Sequence, residues 1–152
     1  MKKLTVIVFM VAGSLFVSPG FAQDGLVAVK SAHDVVTTAD RLENILGEKG
    51  MKVFARIDHA AGATSIGKEM RPTELVIFGN PKIGTGLMLC AQSVGIDLPM
   101  KALIWQDQNG DTWLGYNDAA YLKGRHAMTG CDPVIEKVSG ALANFAAAAT
   151  AP

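Results

Sequence analysis

Fourteen Lys and Arg side chains balance fourteen Asp and Glu in a chain of 152 residues, a length that fits one domain. Such a balance leaves none of the basic footprint that a nucleic-acid-binding surface carries, so nucleic acid is excluded as an expected partner. With 49% hydrophobic residues the chain has the apolar material for a single buried core.

The chain opens with Met1-Lys2-Lys3, runs apolar from Leu4 to Val17, and reaches small residues at Gly20 and Ala22. That pattern predicts a secretory signal peptide, residues 1–22, cut after Ala22, because the apolar run is shorter than the roughly 18 residues a membrane span requires. The expected destination is the periplasm or the outside of the cell. No later stretch is long enough to span. Removing Lys2 and Lys3 from 14 basic residues leaves 12 against 14 acidic ones, a formal charge of −2 on a single domain, residues 23–152.

Gly25–Lys30 reads as a short strand, with Leu26, Ala28 and Lys30 on one side and Val27 and Val29 on the other. Asp34 then caps a helix whose apolar positions Val35, Ala39, Leu42, Ile45 and Leu46 fall on one face, and Gly50 stops it. Lys52–Asp58 alternates Val53, Ala55 and Ile57 with Phe54, Arg56 and Asp58, predicting a strand that turns its first set to the core and its second set away. From His59 to Pro72 the small residues form either a functional loop or a short helix. Glu74–Gly79 is almost continuously apolar, as expected of a central strand covered on both faces. Asn80-Pro81 turns the chain, and Thr85 is a candidate cap for a helix carrying Leu87, Met88, Cys90, Ala91 and Val94 that ends at Asp97-Leu98-Pro99. Met100–Gln106 and Thr112–Asn117 read as an antiparallel hairpin around Asn109-Gly110. Asp118–Arg125 is a short helical segment, and Asp132 is the expected N-cap, with Pro133 at the first helical position, of a final helix with the stripe Val134, Val138, Ala141, Leu142 and Phe145.

These elements predict an α+β fold, a single mainly antiparallel sheet with two long helices on one face. The other face must then be solvated, buried in a partner or folded over a ligand, and Phe54, Arg56 and Trp105 or Trp113 are its candidate residues.

The string Phe78-Gly79-Asn80-Pro81, then Leu87-Met88, Asp97-Leu98-Pro99, a tryptophan and Tyr116-Asn117-Asp118, together with the upstream VFARIDHAAGA, resembles the domain-of-unknown-function 302 family over roughly Val27 to Met128. The resemblance implies a compact domain with a TATA-binding-protein-like layout, often dimeric, and it brings no established activity. It also implies a histidine at the position of His59.

Cys90 and Cys131, the only cysteines, either form a disulfide, as an even count in an exported chain favours, or are a small buried hydrophobe and a free thiol. Three residues are candidates for ligand binding. His59, at a strand end beside Asp58, could titrate near neutral pH, while Asn80 and Tyr116 also stand at strand ends. No residue is assigned a catalytic role, and no motif implies a cofactor or a metal site. The expected function is a homodimeric module holding a small ligand between the open sheet face and the loop from His59 to Pro72; the alternatives are an enzyme using His59 as acid or base with Asn80 or Tyr116 orienting the substrate, and a thiol or metal-handling accessory protein.

Overall fold

The computed structural model describes residues 25–152, so the predicted signal peptide and its cleavage point lie outside the described residues. Five strands form one antiparallel sheet in the order β1-β5-β4-β3-β2, comprising β1 (Leu26–Lys30), β2 (Lys52–Asp58), β3 (Thr73–Gly79), β4 (Met100–Gln106) and β5 (Thr112–Asn117). The long helices α1 (Val35–Glu48) and α5 (Asp132–Thr150) pack on one another and on the same face of the sheet. The fold is α+β, as the element pattern predicts.

Side-chain alternation fixes the two faces. Val76 and Phe78 of β3, Met100, Ala102 and Ile104 of β4, and Leu114 and Tyr116 of β5 are buried in one cluster with Val35, Ala39, Leu42 and Leu46 of α1 and Ile135, Val138, Leu142 and Phe145 of α5. The opposite face carries Leu26, Leu75, Ile77, Leu103, Trp105 and Trp113, all half-buried. Trp105 packs against Gly115, where a Cβ would come within 2.8 Å of the indole. An alanine there would displace the ring.

Four local expectations are corrected. A register shift between Val53 and Ala55 bulges β2 at Phe54, so Val53 aligns with Phe78 but Arg56 aligns with Val76 and Asp58 with Glu74. A single extra residue moves everything after it to the other face, and Arg56 therefore lies on the helix side rather than the open side. Second, β3 is covered on one face only, because Leu75 and Ile77 project to the side that carries no long helix. Third, the helix after β3, α3 (Pro81–Cys90), begins at Pro81 with Asn80 as its N-cap, not near Thr85. Proline is favoured at a first helical position, where its missing N–H costs nothing. A 3-10 turn (Gln92–Ile96) follows α3. Likewise α5 is capped by Cys131, with Asp132 and Pro133 already helical. The stretch after His59 resolves into a short helix, α2 (His59–Ser65), and the helical segment predicted over Asp118–Arg125 is α4 (Ala119–Arg125), with Asp118 as its N-cap.

Arg56 is the main polar tie of the sheet to α1. Its Nε donates to Glu74, its Nη1 to Asp40, and its Nη2 to the Val36 carbonyl at 3.4 Å. The Glu74 carboxylate, with Asp40 adding to it, holds the guanidinium charged against the opposing effect of burial.

Candidate functional site: an apolar cavity between the helices

Between the end of α1, the whole of α3, the edge of the sheet and the middle of α5 lies a cavity of about 900 Å³, open to solvent along one side. Its floor is Gly79, Leu98, Pro99 and Met100; Ile83, Leu87 and Met88 of α3 form one wall, and Val138, Ala141, Leu142 and Phe145 of α5 another. The bulge in β2 aims Phe54 into the same space, its ring 3.4 Å from where a Gly79 Cβ would stand, and the Lys52 ammonium sits 5.2 Å from the ring centroid.

Polar groups are few at the wall: Asn80, Thr85 and Asn144, with Lys49 and Lys137 as the only charged residues. Asn80 is already engaged. Its Oδ1 accepts from Lys82 N at 2.9 Å and its Nδ2 donates to the Gly50 carbonyl at 3.1 Å, pinning the start of α3 to the end of α1.

Of the three residues singled out from the sequence, the strand register brings none together. Lys52 pairs with Gly79 and Asp58 with Glu74, so His59 and Asn80 stand at opposite ends of one hairpin, about 20 Å apart at roughly 3.3 Å per residue. His59 is exposed, at the first position of α2. Tyr116 sits between Val27 and Ala102 on the helix side, 6% exposed, where burial first and Asp118 second raise its pKa above the usual 10.0. Asn80 alone lines the cavity.

A second polar constellation involves His126, which follows a short helical segment in the sequence and is read from there more as its C-terminal cap than as a member of a site with His59, Asn80 and Tyr116. His126 does cap α4, and its ring is nearly enclosed. Its Nε2 meets Asp97 Oδ2 at 2.6 Å and its Nδ1 meets Ser93 Oγ at 2.9 Å. Because a carboxylate can only accept, Asp97 selects the tautomer with hydrogen on Nε2 and leaves Nδ1 to accept the serine hydroxyl. Arg125 Nε lies 3.4 Å from the same carboxylate oxygen. No motif spacing announces this set, since its members come from two elements 33 residues apart.

Cys90 and Cys131 are joined in a disulfide with Cα atoms 6.3 Å apart, tying the end of α3 to the start of α5. Among the described residues no free thiol remains, and no group of three or more His, Cys, Asp or Glu side chains is placed to hold a metal ion.

The class defined by this geometry is a small α+β domain with an apolar cavity under its helices. The chain belongs to the family described as "Domain of unknown function DUF302", which matches residues 27–145. Its fold is similar to that of an uncharacterized conserved DUF302 protein from Bacillus stearothermophilus, with a TM-score of 0.73, 21% identity, and coverage of 80% of this chain and 95% of the other. Two curated relatives are named fluoride-specific ion channel FluC 1, from Brucella suis and Brucella abortus. Each is 48% identical over 104 residues, 68% of this chain, and the match spans only 41% and 38% of their respective lengths.

Proposed function

We propose that this chain is an exported, periplasmic or secreted, small-ligand-binding domain acting as a homodimer, with its ligand in the cavity between α1, α3 and α5. One observation carries the ligand reading. Protein interiors are close-packed, yet here an apolar space of about 900 Å³ stays open beside the core, within the range of roughly 300–1,000 Å³ typical of small-molecule sites. Gly79, Asn80, Pro81, Met88, Leu98 and Pro99, which belong to the strings that carry the family resemblance, all line it. In this reading the ligand lies on the helix side, instead of between the open sheet face and the loop from His59 to Pro72.

The test uses a neutral apolar fluorophore, N-phenyl-1-naphthylamine. Its emission should rise on binding the purified protein and the effect should fall at least tenfold in Ala141→Trp, which fills the cavity. No response from the unmodified protein, together with a native mass spectrum from its own host that carries no added mass, would overturn the reading.

Self-association is supported by β3. Its alternation is apolar on both sides, which is the pattern of a strand buried twice, while Leu75 and Ile77 keep part of their surface exposed. With Trp105, Trp113 and Leu103 they form an aromatic-rich apolar strip of the composition favoured at interface centres. A second copy laid on this face would cover it.

The fluoride-channel name of the curated relatives is not carried over. More than half of each relative lies outside the match, and among the described residues no helix is long and apolar enough to cross a membrane.

A second reading is enzymatic, and Ser93–His126–Asp97 favours it over His59. A hydroxyl bonded to an imidazole that is itself oriented by a carboxylate is the arrangement of an acyl-transfer nucleophile with its base. A fluorophosphonate probe should then label Ser93, and not label Ser93→Ala or His126→Gln. A probe that leaves Ser93 unmodified rules the reading out and leaves this set as a structural pin.

A further inference from the structure

We propose that the occupant of the cavity is an amphiphile with a single anionic head group, held at the mouth between Lys49 and Lys137, and an alkyl tail lying in the apolar interior. This rests on the cavity reading above and goes beyond it by fixing the ligand's chemistry.

The antiparallel run of α1 and α5 puts both lysines on the lining of the one cavity. Ala32 N donates to the Thr150 carbonyl at 3.0 Å, and the His33 ring bonds the Ala151 carbonyl at 2.8 Å, so the chain entering α1 lies beside the end of α5. Arg41, further along α1, still reaches the Ala148 and Ala149 carbonyls. With both helices rising about 1.5 Å per residue, the far end of α1, where Lys49 is the C-cap, comes level with the turn of α5 that carries Lys137. Both line the cavity.

Neither lysine has an ion-pair partner among the described residues, in contrast to Lys30 with Asp111 and Lys123 with Asp132. Glu48 and Glu136 neighbour them in sequence but do not line the cavity, and no carboxylate does. Lys49 and Lys137 are both exposed and give the lining of this apolar space positive charge without a compensating carboxylate. One anionic head group between them supplies that carboxylate's role and accepts a charge-assisted hydrogen bond from each. Behind the mouth the wall is Ile83, Leu87, Leu142 and Phe145, which removes an alkyl chain from water methylene by methylene and offers a polar body little. A neutral or cationic amphiphile of equal length gains the same burial without the head-group contacts.

Displacement of N-phenyl-1-naphthylamine separates these cases. Dodecanoate should compete at least tenfold more tightly than dodecanol or dodecyltrimethylammonium, and dodecyl phosphate should rank with dodecanoate if the shared requirement is an anion rather than a carboxylate. Lys49→Gln with Lys137→Gln should erase the preference while the neutral fluorophore binds as before. Lys49→Glu with Lys137→Glu should turn it toward the quaternary ammonium. Equal competition by all the heads in the unmodified protein overturns the anionic assignment and leaves the cavity reading standing, whereas failure of the fluorophore itself removes both. Retention of the anion preference in the double glutamine variant overturns the role given to the two lysines.

Discussion

Arg56 joins three groups from two elements: the buried Glu74 of the neighbouring strand, Asp40 of α1 and the Val36 carbonyl. Removing the guanidinium would leave the Glu74 carboxylate, whose side chain is 10% exposed, without its counter-charge. Arg56→Ala is expected to destabilise the protein by roughly 2–4 kcal/mol in urea or guanidinium melts, and Arg56→Lys should recover only part of that, because one ammonium cannot donate along the three directions the fork uses. A loss below about 0.5 kcal/mol would show that the network is solvent-screened. Titration sets a second expectation at this scale. Asp34, bonded first by the Thr37 amide, Asp107, bonded first by Trp113 Nε1, and Asp132, bonded first by Lys123, all have pKa values below 3.8. Their ionised forms favour the fold, so their contribution is complete above the unfolded value and disappears as pH falls through the still lower folded values. Tyr116 has the opposite sense: burial favours its neutral phenol, and stability should decline as pH rises past 10.0. Thermal midpoints followed by circular dichroism should therefore be flat from about pH 5 to about pH 9 as far as these groups are concerned, fall on either side, and lose part of the alkaline fall in Tyr116→Phe. An alkaline limb unchanged by that substitution would contradict the burial argument.

Individual elements owe their placement to features only partly visible in their own sequences. The periodicity of α1 and the Asp34 cap were legible because an amphipathic helix writes its buried face at three- and four-residue intervals. The bulge at Phe54 was not, since Lys52–Asp58 alternates without interruption and only the pairing with β3 reveals the extra residue. In α3 the glycines at 84 and 86 obscure the apolar stripe, and the wall it forms depends on the disulfide that holds its end to α5. That bond closes a separation of 41 residues, for which chain-entropy arguments give up to about 4 kcal/mol. Reduction, or Cys90→Ser with Cys131→Ser, should lower stability by roughly 2–4 kcal/mol and weaken fluorophore binding in the cavity. Intact-mass and thiol counts check the starting state, and two titratable thiols in the untreated protein would exclude the bond.

For the whole molecule, the sheet's uncovered face sets the expected assembly. Leu103→Glu, placed amid Trp105, Leu75 and Ile77 on that face, should convert a dimer into a monomer in sedimentation experiments while leaving the helix-side cavity and its fluorophore binding intact. A wild-type monomer across accessible concentrations would remove the proposed interface. The family, the fold class, the order of the five strands and two long helices and the Asn-Gly hairpin were determined by the sequence alone, because each rests on patterns within a single stretch: alternation, helical spacing, caps and turn residues. Only the tertiary structure decided that His59 and Asn80 lie at opposite ends of a hairpin, that Arg56 faces the helices, and that Ser93, Asp97 and His126 meet. It alone decided that an apolar cavity with two lysines at its mouth opens beneath α3. Strand register and helix packing set which distant residues share a space, and a one-residue shift reverses the outcome, so that information is held in the contacts between elements and not in the elements themselves.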